Sequence, residues 1–152
     1  MTFEFSAGGI VLRPTQDKST KSKWEVLVCQ HSQHHGWVFP KGLIGDKKEG
    51  ETKELTAVRE VEEETGIKAE IEKPIKAVSY WYVWEGDPST GSGRGKKKKT
   101  VYYFIMKFSS GDFEKRDMEM EKVEWLPIEE VEGRLTYKAD KEAWAEARNL
   151  IK

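Results

Sequence analysis

Cysteine is almost absent from this 152-residue chain: Cys29 stands alone, so no intrachain disulfide can form and the fold has to be held by its core. The thiol lies in the apolar run Val26 to Cys29 and reads as a core residue. A chain without disulfides suits a reducing compartment, and a cytoplasmic location is expected. Long hydrophobic runs are missing as well. The longest are a few residues, far short of the roughly 20 that span a bilayer, which excludes insertion in a membrane as a helix. The first residues, Met1 to Phe5, contain neither a basic stretch nor an extended apolar one, so no secretory signal is expected there. An excess of one charge is the third absence. Lys and Arg number 26 against 27 Asp and Glu, a net of −1, and no global basic field exists to hold duplex nucleic acid by counterion release. A small-molecule partner fits this balance better.

What is present suffices for one domain over 1–152, since 37% of the residues are hydrophobic and no linker or internal repeat interrupts them. Phe3 to Leu12, Trp24 to Gln30, Ile71 to Trp84, Val101 to Phe108 and Val123 to Leu126 are rich in β-branched and aromatic residues and are expected as strands. Gly86 to Lys99 holds several glycines and then four consecutive lysines, which reads as a flexible loop with a basic end between two pairing strands. Two helices are expected. The first has Thr52 as N-cap, Leu55, Val58 and Val61 at helical spacing and Gly66 to end it; the second is capped by Asp140, with Ala143, Trp144, Ala147, Leu150 and Ile151 as its apolar stripe. Strands interleaved with helices without regular βαβ alternation predict an α/β (α+β) sandwich, a mixed β-sheet flanked by helices.

The first helix carries Glu60, Glu62, Glu63 and Glu64 in its last turns, where the macrodipole already disfavours carboxylates. Glu60, Glu63 and Glu64 share one face, and each like-charge pair at that spacing costs roughly 0.2–0.5 kcal/mol on an exposed helix. A compensating cation is therefore expected. Arg59, four residues before Glu63, can supply part of the compensation, and a solvated acidic face relieved by Arg59 is the alternative for such a helix taken alone.

The wider pattern is Gly45-x5-Glu51-x7-Arg59-Glu60-Val61-x-Glu63-Glu64-x-Gly66-Ile67. It resembles the full signature of the Nudix hydrolases. Ser6 to Leu12, Trp37-Val38-Phe39-Pro40-Lys41-Gly42 and Trp125-Leu126-Pro127 are similar to that family's first strand, its approach to the signature and its late strand end. One departure is a loop longer by about three residues: Gly42 of the Pro-Lys-Gly run lies nine positions before Glu51, and Gly45 takes the expected spacing.

The resemblance implies hydrolysis of a diphosphate linkage with Mg²⁺, or Mn²⁺ in its place, a choice that an all-carboxylate donor set also favours over zinc. It further implies that Glu60, Glu63 and Glu64 ligate the metal, with Glu51 supporting the cluster or a metal-bound water, Arg59 orienting a glutamate and the Lys41 carbonyl as a further ligand. Glu119, six residues before Trp125, occupies the place of a general base, with Glu121 as its competitor.

Outside the signature, His34-His35-Gly36-Trp37, Lys99 to Phe104 and Leu135-Thr136-Tyr137 are similar to the diadenosine tetraphosphate hydrolase branch, which implies ATP and AMP as products. In substrate binding, Lys97 and Lys99 are expected to meet a polyphosphate, Tyr82, Tyr102 or Tyr137 to stack on a base, and His34 or His35 to contact phosphate. Tyr102 and Tyr103 alternate along one strand, so one of them belongs to the core. The other substrates of the same class are a nucleoside triphosphate, the 5′ end of an RNA and a diphosphoinositol polyphosphate. A nucleotide-binding module without hydrolysis is the alternative of a different class.

Overall fold

The computed structural model describes residues 2–16, 18–45, 48–84 and 95–151. Its centre is a long strand, β7 (Gly95–Gly111), which pairs in parallel with β1 (Thr2–Pro14) along eleven consecutive positions from Thr2↔Lys97 to Leu12↔Lys107. The other side of β7 takes two antiparallel strands in succession, β6 (Val78–Trp84) on its first half and β5 (Ile67–Pro74) on its second. Beyond β1 lie β2 (Trp24–His31), β3 (Trp37–Val38) and β8 (Met120–Pro127), while the short β4 (Lys41–Leu43) pairs with Ser6 to Gly8 of β1. The sheet is mixed, as expected.

Helix α1 (Lys53–Thr65) lies on one face, a single turn α2 (Val131–Arg134) follows β8, and α3 (Lys138–Leu150) lies on the other face. Alternation along the strands divides the core accordingly. Ile10, Val101, Tyr103 and Ile105 pack with Phe39, Ala143, Trp144 and Ala147 on the α3 side; Ala7, Val11, Phe104 and Met106 pack with Ala57 and Val61 on the α1 side. Cys29 is buried in the second cluster and is core. No helix among the described residues is long and apolar enough to cross a membrane.

Three expectations need correction. Ile71 to Trp84 is two strands, because Pro74 has no N–H to continue the ladder and Ile75 instead donates its N–H to the Tyr103 carbonyl, turning the chain toward β6. The lysines do not lie on a loop: Lys96 to Lys99 are strand residues paired with β6, and Lys97 to Lys99 are paired with β1 on the other side as well, while 86–94 of the expected loop lie outside the described residues. Asp140 is not the cap of α3. Tyr137 holds the cap position, and Asp140 sits in the first turn with its carboxylate turned inward, accepting from the Phe39 N–H and the Tyr103 hydroxyl, each at 3.3 Å.

The expected ends of α1 are found. The Thr52 side chain accepts from the Leu55 N–H at 3.2 Å, and Gly66 closes the helix at φ +79° with its N–H on the Glu62 carbonyl. A Cβ at Gly66 would stand 1.9 Å from the Asp112 carbonyl oxygen. Gly66→Ala should therefore combine a strained φ with a backbone clash and destabilise the fold by about 2–4 kcal/mol. A thermal melt would show this as a fall of about 5–15 °C; an unchanged midpoint would contradict the clash.

Candidate functional site

Glu60 and Glu63 of α1, with Glu51 just before it, are held by one cation. Arg59 donates from Nε and Nη2 to Glu51 at 2.8–3.2 Å and from Nη1 to Glu60 at 2.9 Å and to Glu63 at 3.0 Å. With no basic residue in the last turn, this mid-helix guanidinium supplies the compensation the sequence called for. Glu64 faces away from it. Its Oε2 accepts from the Lys41 N–H at 2.9 Å, and only 2% of the residue is exposed. Burial lifts the Glu64 carboxyl well above the usual range, and the nearby Glu119 charge adds to this; burial also lifts Glu60.

Glu51 behaves in the opposite way. The Arg59 guanidinium, with help from the Thr56 hydroxyl at 2.7 Å, holds its carboxyl down at about 2. A carboxyl held low stabilises the fold above its unfolded pKa, and that contribution disappears as the pH falls toward the folded value. Glu51→Gln should therefore lower the melting midpoint at neutral pH, with the gap to the wild type closing between about pH 5 and pH 2. A gap constant across that range would contradict the ion pair as its cause.

Around Glu60, Glu63 and Glu64 opens a chamber of about 340 Å³, completed by His31, Lys41, Gly42, Lys99, Asp117 and Glu119. Gly42 is required at its wall: a Cβ there would stand 2.1–2.4 Å from the Glu60 carboxylate atoms. The close approach belongs to Gly42 of the Pro-Lys-Gly run. Gly45, which has the spacing of the signature, stands in open space at φ +78°.

Hard oxygen donors, several of them buried and crowded, are the chemistry that a divalent cation such as Mg²⁺ relieves. The donor set fits it. Among the described residues no three His, Cys, Asp or Glu are gathered tightly enough to hold an ion as they stand. Glu60 and Glu63 are engaged with Arg59, so cation binding has to compete with that guanidinium.

A second chamber, of about 570 Å³, adjoins the first and shares His34, Val38, Lys41 and Lys99 with it. Its walls are Tyr80 from β6, Tyr103 from β7 and Tyr137 with Asp140 from the start of α3. Lys41 is subject to opposing influences: burial would lower it, but Asp140, Tyr80 and Glu64 outweigh burial and lift it, keeping a firm positive charge. Burial lowers Lys99, and Lys41 beside it lowers it further. The Tyr137 hydroxyl donates to His34 Nδ1 at 2.8 Å, His34 stacks on His31 at 4.2 Å, and His31 Nε2 lies 3.5 Å from Glu119. A polar chain thus joins the rim of the aromatic chamber to the carboxylate chamber.

The residues expected from the sequence divide into two groups. Glu60, Glu63, Glu64, Glu119, Lys41, Lys99 and His34 line the carboxylate chamber, and Tyr137 lines the aromatic one. Lys41 reaches the first through its N–H to Glu64 and as a lining residue. The others lie elsewhere. Glu51 is outside both chambers, consumed by Arg59 and Thr56, and Arg59 holds the glutamates from behind. Tyr102 points to the α1 side, where the Lys53 ammonium sits 4.7 Å from its ring, because its neighbour Tyr103 takes the inward position.

Tyr82 donates to Glu4 and lies with Lys97, its cross-strand partner, beyond the aromatic chamber. Glu121 pairs with His35 at 3.2 Å, away from the cluster. Sequence reasoning missed His31, Asp117, Tyr80, Tyr103 and Asp140. The signal for Tyr80 and Tyr103 was the alternation of strand residues relative to Lys99, one side of which had to face the site.

Comparison with known proteins agrees with this geometry. The chain is 39% identical over 150 residues to MutT4 of Mycobacterium tuberculosis, covering 97% of this chain and 55% of that protein. It is 32% identical over 117 residues to the 8-oxo-(d)GTP phosphatase of Mycolicibacterium smegmatis, covering 77% of this chain and 31% of that one. It therefore spans about half, or less, of the length of these relatives. Among solved structures, the NUDIX domain of Shewanella oneidensis NrtR bound to ADP ribose superposes with a TM-score of 0.69 at 18% identity, over 100% of this chain and 90% of that one. An Ap4A hydrolase of C. elegans superposes at 0.61 and 20% identity over the whole of both chains. The NUDIX domain model matches residues 4–151, and the chain belongs to that family.

Proposed function

We propose that this chain hydrolyses a diphosphate linkage in a nucleoside polyphosphate that carries one base, a purine nucleoside triphosphate being the first candidate. The observation that carries the reading is the pair of adjoining chambers, one lined by carboxylates and one by tyrosines, with Lys41 and Lys99 at their junction. The base and sugar occupy the aromatic chamber between Tyr80, Tyr103 and Tyr137. Lys41 and Lys99 neutralise the phosphates that cross the junction. Arg59 orients Glu60 and Glu63, Glu64 is fixed by the Lys41 N–H, and Glu119 takes the proton of the attacking water.

Glu60, Glu63 and Glu64 would hold Mg²⁺, which when bound would neutralise charge on the phosphates and acidify water. Among the described residues one aromatic chamber adjoins the carboxylates, which supports a substrate with one base, since Tyr102 faces α1 and Tyr82 is engaged with Glu4. The relation to the 8-oxo-(d)GTP phosphatase supports including an oxidised guanine nucleotide among the candidates.

Diadenosine tetraphosphate, cleaved to ATP and AMP, is the second reading. Tyr137, 40% exposed at the rim beside His34, favours it as a stacking surface for a second base.

The deciding assay follows products with Mg²⁺ over dGTP, 8-oxo-dGTP, ATP and diadenosine tetraphosphate. The first reading expects the highest kcat/KM on a triphosphate, the second on the dinucleotide, and in ¹⁸O-labelled water the label identifies the phosphorus attacked. Cleavage of none of them, with nucleotide binding retained, would leave a binding module instead.

A further inference from the structure

The α1 side of the sheet is covered only in part. Ala57 and Val61 of the helix seal Ala7, Val11 and Met106, but at the outer end the same face presents Phe3 at 55% exposure, Phe5 at 48%, Trp81 at 50% and Val83 at 46%. The register sets these in rows. Phe3 of β1, Lys98 of β7 and Trp81 of β6 are direct cross-strand neighbours; Val83 lies opposite Lys96, and Phe5 and Ser79 flank Thr100. The Phe3 and Trp81 rings are 6.4 Å apart, and the Lys98 ammonium lies 5.8 Å from the Trp81 ring. Further in, Tyr102 carries Lys53 at 4.7 Å.

Charge on the strand positions of this face has one sign. Reading the outward positions of the three strands, Phe3 and Phe5, Ser79, Trp81 and Val83, and Lys96, Lys98, Thr100 and Tyr102, the charged side chains are all lysines. The one nearby strand carboxylate, Glu4, lies on the opposite face and receives the Tyr82 hydroxyl. A chain whose net charge is −1 has thus gathered cations and open aromatic rings on one face of these strands.

We infer that this face binds single-stranded nucleic acid, with bases stacked on Phe3 and Trp81 and phosphates met by Lys53, Lys96 and Lys98. Aromatic platforms interleaved with cations recognise a flexible polyanion that carries rings, since every base has a face to stack and every linkage a charge to pair. A second copy of the chain is disfavoured, because self-association would bring the lysines together. An anionic membrane is disfavoured too. Among the described residues the outer edge of β6 pairs with no other strand, and burying its backbone groups in lipid would leave them without partners. The surface is separate from both chambers, which lie around Lys41 and Lys99, so the inference does not depend on the hydrolytic reading.

The test is fluorescence anisotropy of a labelled 12-mer RNA or oligo-dT with the full chain in EDTA, repeated in a salt series. Binding should be preferential for single strands over the matching duplex. With about three lysines engaged, log K against log[salt] should have a slope of about −2. Trp81→Ala should weaken binding by about 5- to 100-fold, and Lys98→Gln should make the slope shallower by about 0.7, both with unchanged thermal melts.

Saturating nucleotide should not displace the strand. Absence of binding at 50 mM salt, equal binding of duplex, displacement by nucleotide, or affinity unaltered by both substitutions would each overturn the inference. So would a sedimentation or vesicle measurement in which Trp81→Ala abolishes dimerisation or adsorption to phosphatidylserine while strand binding is absent.

Discussion

Glu64→Gln should lose about a thousandfold in turnover while the protein stays folded. Its carboxylate is buried in the chamber, fixed by the Lys41 N–H and crowded by Glu60 and Glu119, a crowding that a bound cation would relieve. A thousandfold corresponds to about 4 kcal/mol of transition-state stabilisation, the scale of one metal-binding charge. The amide keeps the shape and can still accept from Lys41, so the loss is one of charge.

Stability should move the other way. A carboxyl lifted above its unfolded pKa contributes stability at low pH and loses it as the pH rises through the folded value. Without metal at pH 8 the wild type carries that cost and the glutamine variant does not, so the variant should melt at the same temperature or higher. Excess Mg²⁺ stabilises whichever protein binds it, and the order should reverse. A variant with near wild-type turnover, or one stabilised by Mg²⁺ as strongly as the wild type, would remove Glu64 from the metal site.

The parts of the site that could be read in the sequence are those built by a single helix. Arg59, Glu60, Glu63 and Glu64 are brought together by 3.6-residue periodicity alone, and Thr52 and Gly66 mark where it begins and ends. The mixed sheet followed from composition and order. The aromatic chamber is different in kind, because it requires β6, β7 and the start of α3 to meet, and contacts between distant segments leave no local period to read. Tyr102 and Tyr103 illustrate this: alternation separates them and sets Tyr103 on the side of Lys99, but the placement of α1 against one face and α3 against the other is what builds a chamber on that side.

Asp140 shows the same limit at a helix start. Its residue type favours a cap, but Phe39 and Tyr103, more than thirty residues away along the chain in each case, offered a buried donor pair and turned it inward. The lysines were misassigned to a loop for a related reason. Charge disfavours a central strand locally, and only pairing with β1 and β6 on both sides overrides it.

Glu119→Gln carries the second large effect. The residue precedes β8 outside the signature helix, lines the carboxylate chamber, is half exposed and so open to water, and has His31 Nε2 at 3.5 Å to orient it. Removing a general base should lower kcat by about ten- to ten-thousandfold, with KM little altered because the nucleoside and phosphates contact other residues. The pH profile separates this role from metal binding. If Glu119 takes the proton from water, the acidic limb of the wild-type profile reports its ionisation, and the variant should lose or shift that limb while retaining stabilisation by Mg²⁺ in a thermal melt. Loss of both together would make Glu119 a metal ligand. An unchanged limb with full activity would transfer the base to Glu63, the signature glutamate with the greatest access to solvent, since Glu51 is held by Arg59 and Glu64 is buried.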